Sequence, residues 1–196
     1  RAGSKGLKNK NLLKINKKTL IEIAIEEALK VKKLNKIIFS SESSIYLKKV
    51  LKYKNRIDLI KRPNNLSKDN SSIFDVIKHT LYHYNNKQIK FDYVVLLQPT
   101  TPFRKSSHID ECINKITKFK ADSLISVKKP SYPIEWSLQI SKNNISHILK
   151  KGDNLKRRQD ADNKIVIPSG YVYIFKSDLL LNDKNFKIPS NKTIHC

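Results

Sequence analysis

Apolar residues recur along this chain at two alternating periods. Leu20, Ile21, Ala24, Ile25, Ala28 and Leu29 fall at helical spacing after Thr19, which can cap a helix running to about Lys32. The run from Lys36 to Ser40 has an apolar centre and predicts a short strand. Ser41–Tyr53 returns to helical spacing through Ile45, Leu47, Val50 and Leu51, and Ile57–Ile60 predicts a second strand that ends at Arg62-Pro63. After a polar stretch from Asn64 to Ser72, Ile73, Val76, Ile77 and Leu81 mark a helix. The run from Asp92 to Leu97 is the strongest strand signal, apolar enough to be buried on both faces of a central position. It stops at Gln98-Pro99, and a helix follows with Ile109, Cys112, Ile113 and Ile116 inward. Ser123–Val127 and Gly170–Phe175 complete the strands. Between them, Lys128 to Lys164 reads as irregular, with Trp136 and two short alternating stretches around Leu138 and Ile145.

Strands alternating with helices predict an α/β layered fold with a mainly parallel sheet, in which ligands bind beyond the carboxyl ends of strands. No repeat or linker divides the 196 residues, a length that suits one domain. No apolar run is long enough to span a bilayer and no signal-peptide pattern opens the chain, so a cytoplasmic protein is expected. Cys112 and Cys196 stand at no metal or disulfide spacing.

The net charge of +23 raises nucleic-acid binding as a reading. The lysines are scattered over every segment, however, with no basic stripe interleaved with aromatics as a stacking platform needs. The joint excess of lysine, asparagine and isoleucine fits a compositional bias, so nucleic acid is not the expected partner.

Four polar segments carry candidate chemistry. The opening Arg1-Ala2-Gly3-Ser4-Lys5-Gly6-Leu7-Lys8-Asn9-Lys10-Asn11 gathers four cations, a hydroxyl and two of the chain's four glycines. Glycine backbone can approach an anion with its N–H groups free, and Arg1, Lys5, Lys8 and Lys10 can meet the remaining charge, so the segment reads as a polyphosphate cradle. It does not match the P-loop spacing of ATPases. The second segment is 62–72, whose Ser71 or Ser72 can cap the following helix. The third is Leu96-Leu97-Gln98-Pro99-Thr100-Thr101-Pro102-Phe103-Arg104, a proline-stiffened loop. In it Gln98 offers donor and acceptor, and Arg104 a fork for a carboxylate or phosphate. The fourth is Lys156-Arg157-Arg158-Gln159-Asp160 with Pro168-Ser169-Gly170-Tyr171, where paired arginines suit a second anionic substrate. His79 and His83 stand four apart without the glutamate or third ligand of a zinc helix, and His108 follows the third loop at a helix start.

Together Gly3-Ser4-Lys5-Gly6…Lys10-Asn11, Arg62-Pro63…Leu66…Asp69, Leu96-Leu97-Gln98-Pro99-Thr100-Thr101-Pro102…Arg104 and Arg157-Arg158-Gln159…Gly170…Tyr173 resemble the acylneuraminate cytidylyltransferases, in the family's order and approximate spacing over nearly the whole chain. The resemblance implies a three-layer Rossmann-like nucleotidyltransferase fold with a mixed, mainly parallel sheet. It implies CTP and a nine-carbon α-keto acid sugar as substrates. Arg1, Gly3, Ser4, Asn11, Arg62, Asp69 and Ser72 would bind nucleotide. Lys5, Lys10 and Arg104 would serve catalysis, and Gln98, Thr101, Arg158 and Gln159 would frame the sugar. The 128–164 region corresponds to a dimerisation arm, which implies a homodimer. Mg²⁺ is the implied cofactor. Its aspartate pair and the family's first strand are expected outside this sequence, and no metal ligand is assigned within it. Asp160 and Asp162 offer a carboxylate pair that nothing else in the sequence supports as a metal site. Lys8 stands where many members carry Pro, and Ser169 where many carry Asn. Legionaminic, pseudaminic or KDO-like acids, and a CTP-binding homologue without turnover, are the alternatives.

Overall fold

The computed structural model describes residues 6, 7, 9–141, 144–148, 157–160, 164–183, 186, 188–190 and 192–196. They fall into two compact units, residues 1–125 with 170–196, and 126–169. The second unit is inserted between two strands of the first, and it reaches beyond the expected 128–164 on both sides.

The first unit opens with a 3-10 turn, Lys10–Leu12, and a small hairpin, β1 (Lys14–Ile15) against β2 (Lys18–Thr19). Asn16 and Lys17 both adopt positive φ, 47° and 69°, which is the turn that matches hairpin twist. No glycine stands there to signal it, so periodicity left it unread. Thr19 then caps α1 (Leu20–Leu29) through a complete capping box: its hydroxyl accepts from Glu22 N–H, while Glu22 accepts from Thr19 N–H at 2.8 Å. Strand β3 (Ile38–Ser41) pairs in parallel with β4 (Asp58–Lys61), and α2 (Ser44–Val50) connects them. The sequence put Ile45, Leu47, Val50 and Leu51 on the inner face of this helix; Val50 is buried as expected and Leu47 half-buried, but Ile45 and Leu51 are exposed and Tyr46 is buried in their place. Ser43 sets this phase by capping the helix one turn before Tyr46, whose ring fills the space against Ile21, Ile25 and Ile57.

Helix α3 (Ile73–Asn85) leads to β5 (Tyr93–Leu96), α4 (Ser106–Phe119) to β6 (Ser123–Lys128), and β9 (Ile167–Lys176) to α5 (Ser177–Asn182) and β10 (Thr193–His195). Strands β10, β6, β9 and β5 form one sheet in that order. β10 runs parallel to β6, but β5 and β9 are antiparallel, with Val95 opposite Ile174. The sheet is covered on both sides. Val172, Ile174 and Leu124 pack with Ile109, Cys112 and Ile116 of α4. Phe175, with Val94 and Leu96, packs against Ile77 and Leu81 of α3 and Leu180 of α5. Alternate residues of one strand thus feed two helical layers, which is the layered α/β arrangement expected.

Two expectations change. The parallel strands do not form one sheet: among the described residues β3–β4 is a separate pair, and β5 is the edge of the four-stranded sheet. For the same reason β5 is only half-buried along its length, although apolar clusters lie on both its faces. Cys112 and Cys196, distant in sequence, meet in the cluster under α4 because β10 returns the chain to β6, where Cys196 N–H donates to Ile125 carbonyl at 3.1 Å.

The inserted unit contains a hairpin, β7 (Leu138–Ser141) with β8 (Asn144–His147), in which Ile140 stands opposite Ile145. No described helix is long and apolar enough to cross a membrane.

Candidate active site

Three of the four motif segments leave the carboxyl end of a strand or run beside one, and the structure describes most of them. Arg1, Gly3, Ser4 and Lys5 lie outside the described residues. Lys10 opens the first 3-10 turn and is half-buried. The side-chain carbonyl oxygen of Asn11 is buried without a hydrogen-bond partner, an acceptor that folding alone leaves open.

Arg62 follows β4 and is buried. Its N–H donates to the Ser41 carbonyl at 3.0 Å, across the carboxyl ends of β3 and β4. Its Nη2 donates to Glu42 Oε2 at 2.7 Å, and its Nε, also buried, has no partner. The guanidinium is thus neutralised by a carboxylate while one donor stays uncommitted. Asp69 is exposed in the turn that follows. Ser71 closes that turn, accepting from Lys68 N–H and donating to the Asn65 carbonyl. Ser72 caps α3, its hydroxyl accepting from Phe74 N–H at 3.1 Å. The capping role read from sequence is therefore realised at Ser72.

The loop after β5 is built around its own arginine. Gln98 holds its side chain exposed while its carbonyl accepts from Thr101 Oγ1 at 2.9 Å and from Arg104 Nη1 at 3.0 Å. Arg104 is 2% exposed. Its Nη1 also donates to Thr101 Oγ1 and to the Tyr171 carbonyl, each at 2.9 Å, while Nε is buried without a partner. Burial pushes the guanidinium down to about 10, against the raising influence of the Glu27 charge, so it stays cationic at neutral pH. The sequence offered this fork to a substrate anion; in the structure one of its nitrogens is held by three protein oxygens. Arg158 and Gln159 sit exposed in a 3-10 turn of the inserted unit, next to an ion pair between Arg157 and Asp160 at 3.0 Å.

The cytidylyltransferase family profile matches residues 1–185. This chain belongs to the cytidylyltransferase family. It is 37% identical over 134 residues to an N-acylneuraminate cytidylyltransferase of Escherichia coli O18:K1:H7 (strain RS218 / NMEC), a match covering 68% of this chain and 30% of that protein. It is 30% identical over 188 residues to another of that name from Streptococcus agalactiae serotype V (strain ATCC BAA-611 / 2603 V/R), covering 95% of this chain and 44% of that protein. The chain therefore spans less than half the length of either relative. A CMP-N,N'-diacetyllegionaminic acid synthase of Legionella pneumophila subsp. pneumophila (strain Philadelphia 1 / ATCC 33152 / DSM 7513) is 28% identical, covering 95% of this chain and 79% of that protein. Among solved structures, CMP:2-keto-3-deoxy-manno-octonic acid synthetase complexed with CTP superposes with a TM-score of 0.66 at 16% identity, covering 92% of this chain and 73% of that one. At that identity the likeness shows the fold alone. It bears out the nucleotidyltransferase fold expected from the motifs.

The described carboxylates do not fit a magnesium site. No three His, Cys, Asp or Glu come together among the described residues. Asp160 is held by Arg157, and Asp162 lies outside the described residues. Mg²⁺ wants several oxygen ligands, which the described carboxylates do not bring together. The cavities near Asp58, about 330 and 450 Å³, are lined by residues such as Lys54, Tyr84 and Arg56 and by none of the motif residues. His79 keeps a buried Nδ1 without a partner and His83 packs edge-on against Tyr84, with no third ligand among the described residues. His108 is half-buried: its Nδ1 accepts from Lys105 N–H and its ring lies 5.5 Å from that of Tyr171.

Sequence reasoning missed Glu42 and Glu27. Glu42 holds Arg62, and Glu27 on α1 accepts from Ser106 N–H at 2.7 Å, anchoring the start of α4 beside Arg104. Their signal is scarcity: with 17 acids against 40 Lys and Arg, an acid directly after a strand end, or on an inner helix edge, stands out.

Proposed function

We propose that this protein transfers CMP from CTP to the anomeric hydroxyl of a nine-carbon α-keto acid sugar, sialic acid or a close relative. The sugar oxygen attacks the α-phosphorus, the bond to the bridging oxygen breaks, and pyrophosphate leaves with that electron pair. The hydroxyl proton passes to solvent or a base that the motif positions do not name. Such a displacement needs positioning and charge neutralisation more than covalent help. The observation that carries this reading is the family match over residues 1–185, read with the Gln98–Arg104 loop at the carboxyl end of β5.

In this reading the opening segment, with Arg1, Gly3, Ser4, Lys5 and Lys10, meets the triphosphate. Asn11 and Arg62 each bring a buried polar atom without a protein partner toward the nucleotide. Asp69 and Ser72 flank it, and Gln98 and Thr101 face the sugar. Motif position assigns Arg158 and Gln159 to the sugar as well, on sequence alone. The reaction belongs in the cytoplasm, where CTP is made available. The resemblance also supports Mg²⁺ as cofactor. The exposed apolar residues of the inserted hairpin support a homodimer: Ile140 is 77% and Ile145 64% exposed, opposite one another.

The test is pyrophosphate release by the protein with CTP and a panel of sialic, legionaminic, pseudaminic and KDO-type acids. Release with one nine-carbon acid supports the reading and names the sugar. CTP binding without release from any acid points to the non-catalytic homologue. If the protein instead binds polynucleotide with a steep loss of affinity as salt rises, the nucleic-acid reading takes its place.

A further inference from the structure

We infer that Arg104 serves the proposed transfer as a positioning residue rather than as a ligand of the acidic sugar: with Thr101 it clamps the Gln98–Arg104 loop onto the first body residues of β9. This rests on the cytidylyltransferase reading above; it adds Arg104 to that reading and moves Thr101 from the sugar's face to the clamp.

Arg104 Nη1 lies within 3.0 Å of three protein oxygens, which belong to two stretches far apart in sequence: Gln98 carbonyl and Thr101 Oγ1 in the loop, and Tyr171 carbonyl on β9. Thr101 repeats the bridge, its hydroxyl donating to the Gln98 carbonyl at 2.9 Å and lying 3.3 Å from the Gly170 carbonyl. Gly170 is the residue at which the chain returns from the inserted unit, and its φ is +78°. A Cβ there would stand 3.4 Å from Thr101 Cγ2. The loop and β9 are thus joined by two side chains across a contact that also favours glycine's left-handed backbone. The Arg104 side chain is 2% exposed. Nη1, within 3.0 Å of three protein oxygens, has no hydrogen to spare for a dissolved carboxylate, and the one uncommitted donor, Nε, is itself buried. What the clamp holds still is the pair of surfaces beside it, the exposed Gln98 side chain and the start of β9. A misplacement of about 1 Å in such a frame costs on the order of a hundredfold in rate.

The experiment compares wild type with Arg104→Lys, which keeps the charge and loses the fork, and with Thr101→Val, which keeps the shape and loses the hydroxyl. In both variants kcat/KM for the acidic sugar should fall about tenfold or more while KM for CTP changes by less than about threefold. The ratio of kcat/KM for the acid to that for its methyl ester should stay at the wild-type value, because the clamp does not touch the carboxylate. A ratio falling toward one in Arg104→Lys would overturn the inference and return Arg104 to direct contact with the sugar. Hydrogen exchange gives a readout independent of turnover. Amides of 98–104 and 170–173 should exchange about tenfold faster in both variants, with those of β3 and β4 unchanged. Unchanged exchange in 98–104 and 170–173 would also sink the clamp. Should wild type release no pyrophosphate with any acid, the reaction reading fails, while the exchange result still decides whether the clamp exists.

Discussion

At the scale of single residues, the scarce acids matter more than the abundant bases. Glu22 shows why. Burial pushes its carboxyl up, but hydrogen bonds from Lys52, the Thr19 N–H and the Thr19 hydroxyl, together with the Lys52 charge, outweigh it and hold the group at about 2, against an ordinary 4.5. A carboxylate held low adds stability above its unfolded value and loses it as pH falls from about 4.5 through about 2. Glu22→Gln should therefore cost about 1–2 kcal/mol near neutral pH, and the gap to wild type in urea unfolding should close as pH approaches 2. A gap independent of pH would mean the carboxylate charge is not what stabilises the cap. Lys5 tests the other sign. It lies outside the described residues, and motif position puts it on the triphosphate. Lys5→Ala should weaken CTP binding and turnover together, each by tenfold or more by titration and pyrophosphate assay, on the order of one buried charge-assisted contact. The sequence exposed residues such as Lys5 and Gln98 because motif chemistry is local. It hid Glu42 and Glu27, whose roles arise only when β3 meets β4 and α1 meets α4.

At the scale of elements, helices were legible where a cap and a stripe agree, as at Thr19 with α1 and Ser72 with α3. α2 was legible as a helix but only partly in phase: Val50 was read inward and is buried, while Ile45 and Leu51 satisfied the period as well as the buried Tyr46 did. The two- and three-residue strands β1, β2 and β10 are too short for any period to show. Helix α4 ends on Lys120, with φ 48° and its N–H bonded back to the Ile116 and Thr117 carbonyls. A left-handed C-terminal residue prefers to be glycine. Lys120→Gly should thus raise stability by about 0.5–1 kcal/mol, a gain of roughly 2–4 °C in Tm for a domain of this size. The β7–β8 hairpin makes its own prediction. Placing a charge on its apolar face with Ile140→Lys should shift the protein toward monomer in sedimentation while leaving far-ultraviolet circular dichroism unchanged. If wild type is itself monomeric at micromolar concentration, the hairpin is not a subunit interface.

At the scale of the whole molecule, the layered α/β fold was legible because strands and helices alternate. The division of the parallel strands into a pair and a four-stranded sheet was not, because pairing is decided by residues far apart in the chain. A net charge of +23 acts on the molecule as a whole. Glu22, Glu26, Glu27, Glu42 and Asp58 are already paired with lysine or arginine, so most remaining cations repel one another. Raising NaCl from about 50 mM to about 0.5 M should therefore raise Tm by screening that repulsion. A falling Tm would show that the paired acids dominate instead. The antiparallel match of β5 with β9, Tyr93 opposite Lys176 and Leu96 opposite Tyr173, has a further consequence in time. During synthesis β5 leaves the ribosome with its sheet partner still untranslated, and the whole inserted unit must be made before that partner arrives. For that interval the residues of β5 and the loop behind it have no β9 backbone to close on. The segment richest in motif chemistry is therefore among the last parts of the body to acquire its native neighbours.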